Sequence, residues 1–193
     1  MRRSALTFVI VAMATTLLEA APPRCLESFS ATHVKAADAT HRALVHQGLE
    51  RSATFRRLIA DIEASSWLVF VQTGRCPENV TVACLLHFVG TFDGKPYLRV
   101  IARHEDRHPD KVISVLAHEL QHAREVVQAA GREDPMGLRD LFGRIGRVSV
   151  KRPGVVTYET DRARQVEAAV WRELLGAPDR CVLDQAADRT ARP

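Results

Sequence analysis

An α+β fold is what this sequence predicts, on three observations. Helix-forming segments stand toward both ends of the chain, strand-like segments cluster between them, and no internal repeat interrupts that order. A small, mainly antiparallel sheet packed with helices accounts for it. The length suits one domain with a true core.

The chain opens "MRRSALTFVIVAMATTLLEAAPP": two arginines, an apolar run from Ala5 to Leu18, then small residues and prolines. That is the layout of a secretory signal, and the run is short for a membrane span. We therefore read residues 1–21 as a signal peptide and 22–193 as a single domain, secreted or periplasmic, with no stable membrane insertion once the signal is removed. An uncleaved anchor is the other reading. Export agrees with the four cysteines Cys25, Cys76, Cys84 and Cys181. Cys76 and Cys84 are close enough to clip one loop, which leaves Cys25 and Cys181 to tie the chain ends; four cysteines allow three pairings.

His33 to Leu49 and Ala53 to Ala64 read as two helices. Trp67 to Gly74, "WLVFVQTG", reads as a strand, bulky, β-branched and bounded by glycine. Two more strands follow, Val80 to Thr91 and Tyr97 to Ala102, and "FDGKP" between them carries the Asp-Gly signal of a tight reversal. "HPD" opens a helix over Val112 to Ala130 that Gly131 stops. "DPMGLRDLFGRIGR" reads as a short helical turn, "KRPGVV" as loop or extended chain, and Tyr158 to Leu175 as a last long helix. The net charge of +4 is mild and the arginines are scattered, so no nucleic-acid partner is indicated.

The pattern HExxH occurs twice. In "HEDRH", His104 to His108, the wildcards are charged and Pro109 follows, which pushes His108 from helical angles; this match reads as a polar loop carrying a helix cap. In "VLAHELQHA" the frame is apolar and helical, with Ile113, Leu116, Leu120, Ala123, Val127 and Ala130 at helical spacing. His118 and His122 are four apart, so their side chains stack on one face within reach of one tetrahedral ion. Glu119 is one residue round and is placed to hold a water at the open position. Two histidines buried without partners would be a cost that a metal ion removes.

"VLAHELQHA" resembles the active-site helix of the zincin metallopeptidases, in which the motif lies in an uncharged helix behind a small sheet. Val115 matches the residue often found three before the first histidine. Arg124 departs from the usual hydrophobic residue. The metzincin branch needs a glycine and a third histidine just beyond the motif, where this chain has Glu125 and Gln128; it resembles instead the gluzincins, whose third ligand is a glutamate on a later helix. The resemblance implies a zincin-like domain, Zn²⁺ held by His118, His122 and a later glutamate, Glu119 as general base, and a second oxyanion donor, for which Tyr158 and His87 are candidates. It implies a peptide or protein substrate that pairs with a sheet edge beside the site, and the strand Tyr97 to Ala102 is the candidate. We expect the protein to act as a monomer.

For the third ligand the last helix offers Glu159, Glu167 and Glu173. Glu159 stands one turn before Ala163 near the helix start, where a carboxylate reaches past the core to a cleft. Glu167 lies in mid-helix among packed side chains, and Glu173 reads as a solvated charge. Glu159 is preferred and Glu167 kept as the alternative. Two other functions stay open: a non-catalytic exported domain with a structural or binding zinc site, and a zinc hydrolase of a non-peptide amide.

Overall fold

A computed structural model describes residues 31–76, 82–86, 89–105, 107–129, 137–152 and 155–176. The expected signal segment, Cys25, Cys181 and His87 lie outside those residues. The order is β1 (Val34–Ala36), α1 (Ala39–Arg51), α2 (Ala53–Glu63), β2 (Leu68–Gln72), β3 (Ala83–Leu85), β4 (Gly90–Phe92), β5 (Lys95–Ala102), α3 (Pro109–Ala129), α4 (Leu138–Ile145), β6 (Arg147–Arg152), β7 (Val155–Glu159) and α5 (Asp161–Gly176). The class is α+β.

The main sheet runs β1-β2-β5-β3, with β4 also on β5. It is mixed rather than mainly antiparallel: β1 and β2 pair parallel, as do β2 and β5, while β3 and β4 are antiparallel to β5. The expected strand from Val80 to Thr91 is two short strands, which pair with opposite ends of β5. The β4–β5 reversal is the expected one, with Asp93 and Gly94 at φ 51° and 71°, the left-handed pair a two-residue hairpin needs. β5 is interior, paired on both sides, so it is not the edge that the sequence expectation made it; on that side the edge is β3.

The first expected helix starts late, because Val34–Ala36 pairs in parallel with Val69–Val71 before Asp38 caps α1 by accepting from His41 N. Ser52 then both ends α1 and caps α2 through Phe55 N. Glu173, read as a free charge, accepts from Ser52 Oγ and from Thr54 N and Oγ1, so it ties α5 to the start of α2.

Helix α3 lies between the sheet and α5. Val112, Ile113, Leu116, Leu120 and Ala123 are buried there with Val69, Val71, Leu98 and Val100 of the sheet and Phe55, Ile59 and Ile62 of α2. Each fully buried Leu or Ile contributes about 1.5–3 kcal/mol of transfer free energy, which fixes α3 in depth and rotation. Arg51 clamps the far end, bonding Asp110 at the start of α3 and Leu174 O near the end of α5.

The last third departs most from the sequence expectation. "RVSVKR" and "VVTYE" form an antiparallel ribbon with an irregularity between Val148 and Val150. Tyr158 and Glu159 are therefore strand residues, not the start of the last helix. The β-branched run Val155, Val156, Thr157 favours extended chain. Thr160 Oγ1 accepts from Ala163 N, which makes Thr160 the cap from which α5 begins.

Candidate metal centre

Helix α3 presents His118 and His122 one turn apart. The rings meet edge to face with centroids 4.9 Å apart. Both are buried, as is Glu119 between them. Phe142 of α4 packs edge-on against His122, centroids 5.2 Å apart, which walls that ring on its outer side.

The third group arrives from the ribbon. Gly146 opens the turn into β6 at a place where a Cβ would lie 2.9 Å from Glu159 O and from Phe142 O, so only glycine lets the β6–β7 ribbon close against α4. Glu159, at the end of β7, then reaches α3. Its Oε1 lies 3.2 Å from His118 Nε2 and 3.8 Å from His122 Nε2. His118, His122 and Glu159 each offer one ligand atom, and these atoms all lie within 4.8 Å of one another.

That donor set fits a metal ion. Glu159 Oε1 is buried and accepts no hydrogen bond, although both Nε2 atoms stand near it. A buried carboxylate oxygen that accepts no hydrogen bond is costly, and a cation held by the three atoms would satisfy it together with both imidazoles. Two nitrogens and a carboxylate oxygen leave room for a further ligand in a tetrahedral shell.

Carboxylates back both rings. His118 Nδ1 donates to Glu167 Oε2 at 3.0 Å, and His122 Nδ1 donates to Glu125 Oε2 at 3.0 Å. Burial opposes the His118 imidazolium, but the Glu159 and Glu167 carboxylates outweigh it and push its pKa up to about 10. In return His118, against burial and helped by Lys111, brings Glu167 down to about 2. Burial raises Glu159 less than the two histidines and Arg164 lower it, so its carboxylate also titrates below the usual range. A cation held by the three atoms would stand in place of the second His118 proton, in the same negative surroundings.

Glu119 differs from these. Burial drives its pKa up, against the pull of His122 and His118. One oxygen, Oε2, accepts from Leu85 N at 2.7 Å. Residues 83 and 85 face away from β5, since Leu86 N donates to Arg99 O and Arg103 N to Val82 O, so the outward N–H of the edge strand meets the motif helix at its carboxylate.

Glu159 thus joins the two histidines on their Nε2 side, while Glu167 stands behind His118 on its Nδ1 side. Glu167 also pairs with Lys111 at 2.8 Å. Tyr158 packs against the hydrophobic core; alternation along a strand turns it to the face opposite Glu159. His104 and His108 lie outside any helix. His108 caps α3, its carbonyl accepting from Lys111 N and Val112 N, and the His104 ring packs on His41, centroids 5.4 Å apart. Arg124, the departure from the zincin pattern, pairs with Asp61 of α2 at 2.8 Å.

Sequence reasoning missed Glu125 and Thr160. The signal for Glu125 was its place three residues after His122, one turn along the same face. For Thr160 it was the pair Thr160-Asp161, a capping residue followed by an acid in the first helical turn. The chain matches no family model, no curated protein and no solved structure.

Proposed function

We propose that this protein is a secreted zinc-dependent metallopeptidase that hydrolyses peptide bonds, with His118, His122 and Glu159 as the metal ligands and Glu119 as general base. The observation that carries it is Glu119. A structural metal site needs no extra carboxylate, yet this one is buried one residue from a ligand and anchored on the edge strand by Leu85 N.

A zinc ion in this donor set supplies a Lewis acid and a water whose pKa is brought to about 7. Leu85 N fixes one oxygen of Glu119, and the other takes the proton of the attacking water. Burial raises the Glu119 pKa, which suits a carboxylate that must accept a proton and then release it to the leaving amine. The carboxylates behind the histidines accept from Nδ1–H and so leave both Nε2 atoms to hold a metal ion. Leu85 N is already held by Glu119, so an extended peptide beside the outer edge of β3 would pair only with that strand's remaining outward groups as it passes Glu119. Tyr158, turned to the core, has no step in this scheme.

One observation supports export: Cys76 and Cys84 lie at disulfide distance. Among the described residues no helix is long and apolar enough to cross a membrane.

The test combines metal analysis of purified protein with cleavage of a broad peptide library. About one zinc per chain and chelator-sensitive cleavage are expected. Glu119→Gln keeps the side chain's size and removes the base, so it should retain zinc and lose cleavage by several orders of magnitude. Cleavage unchanged in Glu119→Gln, or no cleavage by the zinc-loaded wild type, refutes the proposal.

A further inference from the structure

Glu125 joins the helix that carries the histidines to the segment that delivers Glu159. Its Oε2 accepts from His122 Nδ1 at 3.0 Å. Its Oε1 accepts from Gln121 Nε2 at 3.1 Å and from Thr160 Oγ1 at 3.0 Å. Thr160 follows Glu159 directly, and its hydroxyl also accepts from Ala163 N at 3.1 Å. That hydroxyl has one proton. While its oxygen accepts from Ala163 N, it donates that proton to Glu125 Oε1. Thr160 and Gln121 are buried.

The two histidines are supported unequally. The side chain behind His118, Glu167, is 27% exposed and shares its charge with Lys111, itself 47% exposed. The side chain behind His122, Glu125, is 9% exposed, and its partners are His122, Gln121 and Thr160. One carboxylate therefore fixes the tautomer and tilt of a ring on α3 and holds the backbone next to the third ligand. Those ligands come from elements 37 residues apart in sequence, by the numbers 122 and 159. Nothing local in the chain sets their separation.

We propose that Glu125 is a positioning residue for two metal ligands at once, acting on His122 through its Nδ1–H and on Glu159 through the Thr160 hydroxyl. The proposal rests on the reading of His118, His122 and Glu159 as a metal centre, and it is independent of what the centre does to a substrate.

The experiment is competition for zinc between the full chain and a chromophoric chelator, with the melting temperature of each variant measured beside it. Glu125→Ala should lower zinc affinity about 10–100-fold in protein that still folds, the range that outer carboxylates give elsewhere; a loss below tenfold overturns the proposal. Thr160→Val keeps the His122 bond and cuts the arm to β7. It should weaken zinc binding in the wild-type background and cost nothing further in a Glu159→Ala background, because the arm works through Glu159. Equal losses in both backgrounds overturn that arm. Thr160→Ser keeps the hydroxyl, and with it both the Glu125 bond and the α5 cap, and should bind zinc as wild type does. In a Glu125→Ala background Thr160→Val should cost zinc affinity nothing further, whereas a loss that came through the α5 cap would persist there. Wild type that binds no zinc overturns the centre and the clamp together. Wild type that binds zinc beside an indifferent Glu125→Ala overturns the clamp alone.

Discussion

Glu159 Oε1 lies buried 3.2 Å from His118 Nε2 and accepts no hydrogen bond, whereas Glu167 Oε2 accepts from the opposite nitrogen of the same ring. One imidazole thus has a carboxylate at each end, and the two ends have different duties. Glu159→Ala removes a ligand and should lower zinc affinity at least 100-fold, as should His118→Ala and His122→Ala. Glu167→Ala frees the ring without removing a ligand and should cost no more than about 10–100-fold. His104→Ala and His108→Ala, outside the group, should bind zinc as wild type does. Chelator competition reads all six, and a Glu167→Ala loss larger than that of Glu159→Ala moves the centre to the other face of His118.

How much of this was legible depends on how local each cause is. The motif helix could be read because a 3.6-residue apolar period is a local signal, and the first HExxH could be set aside because Pro109 acts on its own neighbour; the expected stop at Gly131 lies outside the described residues. β1 could not: three residues become a strand only because Val69–Val71 lies beside them. Pairing direction is equally non-local, so the mixed sheet was not visible. The sequence put Glu159 at a helix start, and the structure puts it at the end of a strand. The alternating Val148 and Val150 and the β-branched run before Tyr158 signalled the ribbon, but "RPG" in their midst obscured it. The Glu125–Thr160 bond joins two segments that nothing local relates.

The Cys76–Cys84 bridge holds β3 at its middle residue. Cys84 precedes Leu85, whose N–H anchors Glu119. Closing so short a loop removes denatured-state entropy equivalent to about 2–3 kcal/mol. Cys76→Ser/Cys84→Ser should lower stability by about that amount in chemical denaturation. It should also reduce peptide cleavage more than zinc affinity, because the strand that loosens carries the base's anchor and no ligand. Equal loss of zinc and cleavage would contradict this division.

Glu63 ends α2 by gathering the chain that enters β1. It accepts from Thr32 N and Oγ1, from His33 N and from Val34 N. Burial alone would raise its pKa, but these hydrogen bonds outweigh burial and leave it lowered. A carboxyl with a lower pKa in the folded than in the unfolded chain contributes stability that is full above the ordinary glutamate range. That contribution is lost as the pH falls through the folded-state value. Glu63→Ala should therefore cost about 1–2 kcal/mol at neutral pH, and the gap between variant and wild type should close as the pH falls below the ordinary glutamate range and through the lowered folded-state value. Urea denaturation at stepped pH measures the gap; a gap that widens toward acid would show that the carboxylate is not the stabilising form.

Gly146 tests whether the third ligand is placed by the ribbon or finds its own way. A Cβ at this position would stand 2.9 Å from Glu159 O and from Phe142 O, both backbone atoms that cannot swing aside. Gly146→Ala must therefore push the end of β7 away from α4. The histidines, on α3, should keep their places, since α3 is fixed by its own buried face. Glu159 Oε1 would withdraw from the two Nε2 atoms by a few tenths of an ångström or more, enough to lengthen one bond of the centre and leave the others intact. Zinc affinity should fall about tenfold, less than in Glu159→Ala. In the Glu159→Ala background the same change should have no further effect on zinc, because the only ligand it moves is gone. If instead Gly146→Ala binds zinc as wild type does while its melting temperature drops, the ribbon yields elsewhere and does not set the position of Glu159.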